Sequence, residues 1–170
     1  MASLRLGTVS LMLSIVLWGT LLGGVAYSHL VYFPAYLSAL PESAVVVNGP
    51  YGLNEARFWT LIHPLLILSL ITTLILNWRQ RRRRKLIGVT VALYALAIVA
   101  TALYFVPELV AFADSPNSAV SPAEWLARGQ RWQRLSWVRG AVMYIAFIPL
   151  LLALATPASA PEGFIPAAAS

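Results

Sequence analysis

The sequence contains no cysteine, which excludes disulfides, iron–sulfur clusters and thiol chemistry, and removes redox usage as a guide to compartment. Charge is also scarce. Only 11% of the 170 residues are charged, six of them acidic, and there are two histidines. What remains is apolar: 59% of the residues are hydrophobic and the mean hydropathy is +0.75, the composition of an integral membrane protein and not of a soluble core.

The net charge of +6 would suit a nucleic-acid partner if it were spread over a recognition surface. It is concentrated instead in Arg79, Arg81, Arg82, Arg83, Arg84 and Lys85, between two apolar runs. That is the pattern of a cytoplasmic loop at anionic lipid headgroups. No aromatic interleaving or recognition fold accompanies the cluster, so nucleic-acid binding is set aside.

Four apolar runs are present, over about residues 8–40, 54–78, 86–113 and 131–155, followed by a Pro/Ala-rich tail, 157–170, expected to be flexible. Arg5 and the Ala26-Tyr27-Ser28 pattern imitate a signal peptide, but the run is read as a retained first helix. Gly19, Gly23 and Gly24 give it a small-residue surface, with GxxxG spacing, suited to close helix packing. The loop 41–53 has no Lys or Arg and carries the turn signal Asn48-Gly-Pro-Tyr-Gly52, which places it outside. Ser121-Pro-Ala-Glu124 is a capping box with proline at the first helical position, so a helix begins there and leads into the fourth span. The expectation is an all-α, four-helix transmembrane bundle in the cell membrane, with N and C termini cytoplasmic and residues 1–156 forming one domain.

Ionisable residues inside such runs are functional candidates. His29, His63, Glu108 and Arg139 each lie about 6–11 residues from the outer end of a run, hence about 9–17 Å deep at the rise of an α-helix. They predict a polar pocket in the outer half. Glu55 and Arg57 stand at the mouth of the second span, and the inner half is almost purely apolar, which argues against an ion channel. Pro34, Pro64 and Pro107 reinforce the same level by freeing the carbonyls of Leu30, Thr60 and Leu103 and bending the helices. Tyr32-Phe-Pro-Ala-Tyr-Leu37 and Tyr104-Phe-Val-Pro-Glu-Leu109 echo one another, as a parallel duplication of a two-helix unit would.

Several chemistries are open for this constellation. As a metal site, His29, His63 and Glu108 form a two-histidine, one-carboxylate set suited to iron, although the Arg139 cation opposes it. As a haem site, His29 and His63 would be axial ligands on antiparallel helices, against the bulk of Tyr32, Phe33 and Trp59. Without a cofactor, a histidine would act as general base on an acidic aromatic substrate whose anion Arg139 holds. Tyr32, Trp59, Tyr104, Trp132 and Trp137 would wall a planar ligand; Trp125 and Trp132 also suit an interfacial belt. Bland readings stand beside these: Glu108 and Arg139 as an ion pair between spans three and four, and the histidines as packing residues.

Arg131-Trp-Gln-Arg-Leu-Ser-Trp-Val-Arg139, after a third run ending Tyr-Phe-Val-Pro-Glu-Leu, resembles the anthrone-oxygenase-like family of small four-helix membrane proteins. Pro107-Glu108 and the Trp132-to-Arg139 spacing carry the likeness, whereas Glu108 stands where an asparagine-like residue is expected and Ser136 where histidine is commoner. The resemblance implies an oxidoreductase that oxidises polyphenolic or quinone-like substrates with oxygen and no obligatory metal. Other classes remain: an accessory subunit packed against membrane partners or a second copy of itself, and a binder or transporter of a small hydrophobic ligand.

Overall fold

The computed structural model describes residues 2–157, and most of the expected tail lies outside that range. No strand occurs among the described residues, and four helices are long and apolar enough to cross a bilayer: Arg5–Tyr36, Ala56–Leu76, Arg81–Ala113 and Pro122–Ala155. The chain is therefore a multi-pass, four-helix membrane protein. The fourth helix starts at the capping box, where the Ser121 hydroxyl accepts the Glu124 N–H at 3.2 Å. It runs unbroken for 34 residues, so the basic and aromatic stretch before residue 131 belongs to the same helix.

The first and third spans are not simply bent at proline. Each opens into one π-helical turn, Ser28–Tyr32 and Thr101–Phe105, just before Pro34 and Pro107. A proline has no N–H to offer the preceding turn, and the wider ring lets the ladder pass around that gap. The sequence echo is thus a repeated backbone device. In each case the first residue of the wide turn, Ser28 or Thr101, carries a hydroxyl.

In space the first span packs on the second and fourth, and the fourth on the third, while of these neighbouring pairs the second and third are the most loosely joined. Hydroxyl contacts bind the first pair: Ser14 Oγ lies 2.7 Å from Ser69 Oγ and 2.9 Å from Thr73 Oγ1. Gly24 permits the close approach, because a Cβ there would collide with the Phe58 ring. A Cβ added at Gly19 or Gly23 would meet nothing within 4 Å, so among the described residues the GxxxG surface packs against no other helix. Two cores result. One, around Trp18, Leu66, Tyr94 and Leu150, fills the middle of the bundle; the other, around Phe33, Tyr36, Phe112, Trp125 and Trp132, joins the helix ends termed outer after the expected topology.

Two polar layers mark the ends of the apolar middle. At the inner one Arg83, 3% exposed, donates to the Thr156 carbonyl at 2.7 and 3.0 Å and to Thr8 Oγ1 at 3.0 Å; Asn77 donates to the carbonyls of Gly7 and Thr73. The outer one contains Ser28, Glu55, Thr101 and Arg139. Along the four helices the layers are about 17–22 residues apart, about 26–33 Å. That spacing matches a hydrocarbon slab of about 30 Å. The first, third and fourth helices accordingly project beyond the outer layer, and the polar site lies at the rim of the slab, shallower than helix ends alone suggest.

Candidate functional site

A cavity of about 1210 Å3 occupies the gap between the second and third spans at the outer polar layer. Its floor is formed by the first and fourth helices, through Ser28, His29, Tyr32, Arg139 and Gly140. The loop Val47–Glu55 lines its upper end. Gly49 turns that loop with φ +85°, a conformation that favours glycine, and the Asn48 side chain ties it to the third span by donating to the Ala113 carbonyl at 2.8 Å.

His29 is 3% exposed. Its Nδ1 lies 2.8 Å from the Val25 carbonyl, which can only accept, so Nδ1 carries the proton and Nε2 is the free acceptor in the neutral ring. Nε2 is buried and has no hydrogen-bond partner among the described residues. The ring is held edge-on to Phe33 and against Trp137, with centroids at 5.4 and 4.6 Å. Gly140 lies beside it: a Cβ there would sit 3.9 Å from Nε2. A buried unpaired acceptor on a residue that lines a cavity is the kind of exception that calls for a ligand donor.

Arg139 donates to Thr101 Oγ1 at 2.9 Å and Ser136 Oγ at 3.0 Å, and its guanidinium lies 4.1 Å from the centroid of Phe105. Its polar partners within the protein are neutral hydroxyls. Across the cavity Glu55 accepts from Ser28 Oγ and, at 3.2 Å, from Trp59 Nε1. Burial pushes the Glu55 carboxyl above the usual carboxylate range; the two hydrogen bonds and the positive charge of Arg139 pull it part of the way back. His63 sits deeper, its Nδ1 2.6 Å from the Tyr94 hydroxyl and its ring stacked near Trp59 at 5.5 Å.

The cavity therefore brings together His29, His63, Arg139, Tyr32 and Trp59. Glu108, Tyr104 and Trp132 lie outside its lining. Glu108 pairs with Arg128 at 2.9 Å, on the projecting part of the bundle, because one residue after Pro107 its side chain faces the fourth helix above Arg139. The expected Glu108–Arg139 pair is not formed. Trp132 is fully buried and donates to the Phe105 carbonyl at 3.0 Å, and Trp125 is 3% exposed, so both are core residues and not interfacial belt residues. Tyr104 packs against the same outer core.

Among the described residues no three His, Asp or Glu side chains gather in a way that could hold a metal ion, so the His29–His63–Glu108 set is not assembled. Each histidine ring is flanked by aromatic rings, His29 by Phe33 and Trp137 and His63 by Trp59 and Tyr94. The carboxylate that does belong to the site is Glu55. Its signal was in the sequence, an acid at the mouth of the second span, but helix ends alone placed it above the histidines. Contact with Ser28 brings it level with them.

These features define a membrane protein with a bilayer-level cavity carrying an acceptor, a cation and a carboxyl group. No protein-family model matches the chain, and no curated protein or solved structure shows significant similarity to it.

Proposed function

We propose that this chain is a cell-membrane protein with cytoplasmic termini that binds a planar, quinone-like or phenolic small molecule in the outer cavity and acts on it as an oxidoreductase. The observation that carries the reading is His29 Nε2 beside Gly140, unpartnered among the described residues, on a residue that lines the same cavity as Arg139. A ligand hydroxyl donates to Nε2, and an anionic or carbonyl oxygen of the ring accepts from Arg139. Breaking the hydroxyl O–H bond sends its proton to Nε2 and leaves a phenolate. The anthrone-oxygenase-like outline then implies dioxygen as oxidant, a quinol and oxygen giving quinone and hydrogen peroxide. The cytoplasmic placement of the termini rests on the basic cluster between the second and third spans.

The test is oxygen uptake and tryptophan quenching by the detergent-purified protein with hydroquinone-type probes. His29→Gln is expected to lower the oxidation rate by about a hundredfold or more, the usual weight of a general base. Arg139→Gln is expected to weaken binding by about tenfold or more, as loss of a charged hydrogen bond does. A wild-type oxidation rate in His29→Gln together with wild-type affinity in Arg139→Gln would remove the reading. A second reading, an accessory subunit, is favoured by Gly19 and Gly23, where an added Cβ would meet nothing among the described residues. Under it, alanine at His29 or His63 changes the size of a co-purified assembly and leaves probe binding undetectable throughout.

A further inference from the structure

The cavity is larger than a ring needs. Its 1210 Å3 exceeds the roughly 300–1,000 Å3 of ordinary small-molecule pockets. Along the second span it descends from Glu55 to Ile67, twelve residues lower, a depth of about 18 Å. Below the polar layer its walls are apolar except for Thr60 and His63, and His63 Nδ1 is already occupied by Tyr94. The wall residues face outward as well as inward: Ile67 is 38% exposed and Val106 49%, on helices whose outer surface meets lipid. The aqueous end is different. There the loop from Val47 to Glu55 lies over the cavity and is pinned to the third span through Asn48.

A pocket capped toward water, polar at the rim of the hydrocarbon slab, and continued downward as an apolar groove along the loosely packed seam between the second and third spans has the shape of an amphiphile. Resting on the ring-binding reading above, we propose that the ligand is lipid-borne and reaches the site from the outer leaflet. Its polar ring lies among His29, Glu55 and Arg139, and its apolar tail runs down the groove between Thr60 and Ile67 on one side and Ile98 and Ala102 on the other. A gap between the second and third spans also gives such a ligand a route that does not cross the loop.

The experiment uses the full chain in one detergent and two probes, a hydroquinone ring bearing a methyl group and the same ring bearing a decyl chain, with tryptophan quenching as readout. Wild type is expected to bind the decyl probe about tenfold or more tightly than the methyl probe, since the added methylenes are buried in protein. Ala102→Trp and, independently, Thr60→Trp fill the groove from opposite walls and are expected to narrow that ratio to about twofold or less. Because the micelle is the same in all samples, partitioning of the decyl chain into detergent cancels between wild type and variants. Each variant is first shown to be folded by its thermal transition. An unchanged ratio in both folded variants overturns the lipid-borne ligand while leaving the ring site intact. Failure of even the methyl probe to bind wild type removes the ring reading and this inference with it.

Discussion

At the scale of single residues, the site is governed by the space left open beside His29. Gly140 is in the interior of a long helix, where glycine is less favourable than alanine by about 0.5–1 kcal/mol. A Cβ added at Gly140 would meet Val25 at 3.4 Å and His29 at 3.7 Å, both ordinary contact distances. Gly140→Ala is therefore expected to raise the thermal transition and, by narrowing the space at Nε2, to weaken probe binding; equal binding would show that the ligand does not approach this nitrogen. Glu55 supplies a pH dependence. Its folded-state pKa is raised by burial above the unfolded value of about 4.3, so the folded chain holds this proton more tightly. Its contribution is greatest at low pH and is lost as pH rises through the window between the two values. The groups facing it are Ser28, Trp59, His29 and Arg139. Thermal melts across that window should fall with pH in wild type and fall less steeply in Glu55→Gln; parallel curves would show that Glu55 is not perturbed.

At the scale of elements, the two π-turns set the site. An i-to-i+5 turn takes one residue more than an α-turn, so removing one exposed residue lets a regular ladder run through with both flanks in phase. Leu30, exposed within Ser28–Tyr32, is the residue to delete. The shortened chain is expected to remain helical, to keep the outer aromatic core, and to lose probe binding because Ser28 and His29 no longer face Glu55 and Gly140. Retained binding would show that the wide turn is only an accommodation of Pro34. The capping box at Ser121 is a more ordinary element, and its removal in Ser121→Ala should cost about 1 kcal/mol without touching the site.

For the whole molecule, the pair of polar layers determines both stability and position in the bilayer. Arg83 joins the first, second and fourth helices at the inner layer, and Arg83→Ala strands the Thr156 carbonyl and Asn77. A loss of about 1.5–3 kcal/mol is expected, against about 0.5 kcal/mol or less for the exposed neighbour in Arg82→Ala. Orientation can be measured cleanly because the chain has no native cysteine. A membrane-impermeant maleimide should label Tyr51→Cys, in the 95%-exposed loop position, in intact cells, and label Lys85→Cys only after permeabilisation. The reverse pattern would invert the proposed topology.

The number of spans and the start of the fourth helix at Ser121 were legible in the sequence, because hydropathy and a capping box act over a few neighbouring residues. His29, His63 and Arg139 were legible as candidates for a related reason: polar groups in apolar runs are costly wherever the helices come to rest. Which carboxylate joins them was not. Glu55 and Glu108 are both acids near helix ends, and counting residues to a loop cannot reveal that three helices project beyond the second, or that a wide turn rotates the residues beyond it. Local composition determined that this chain has four helices able to cross a membrane and where the fourth begins. Only the packed bundle decided that Glu55 faces Ser28 while Glu108 faces Arg128, because side-chain partners depend on relative helix height and rotation, quantities that arise from contacts distant in the chain.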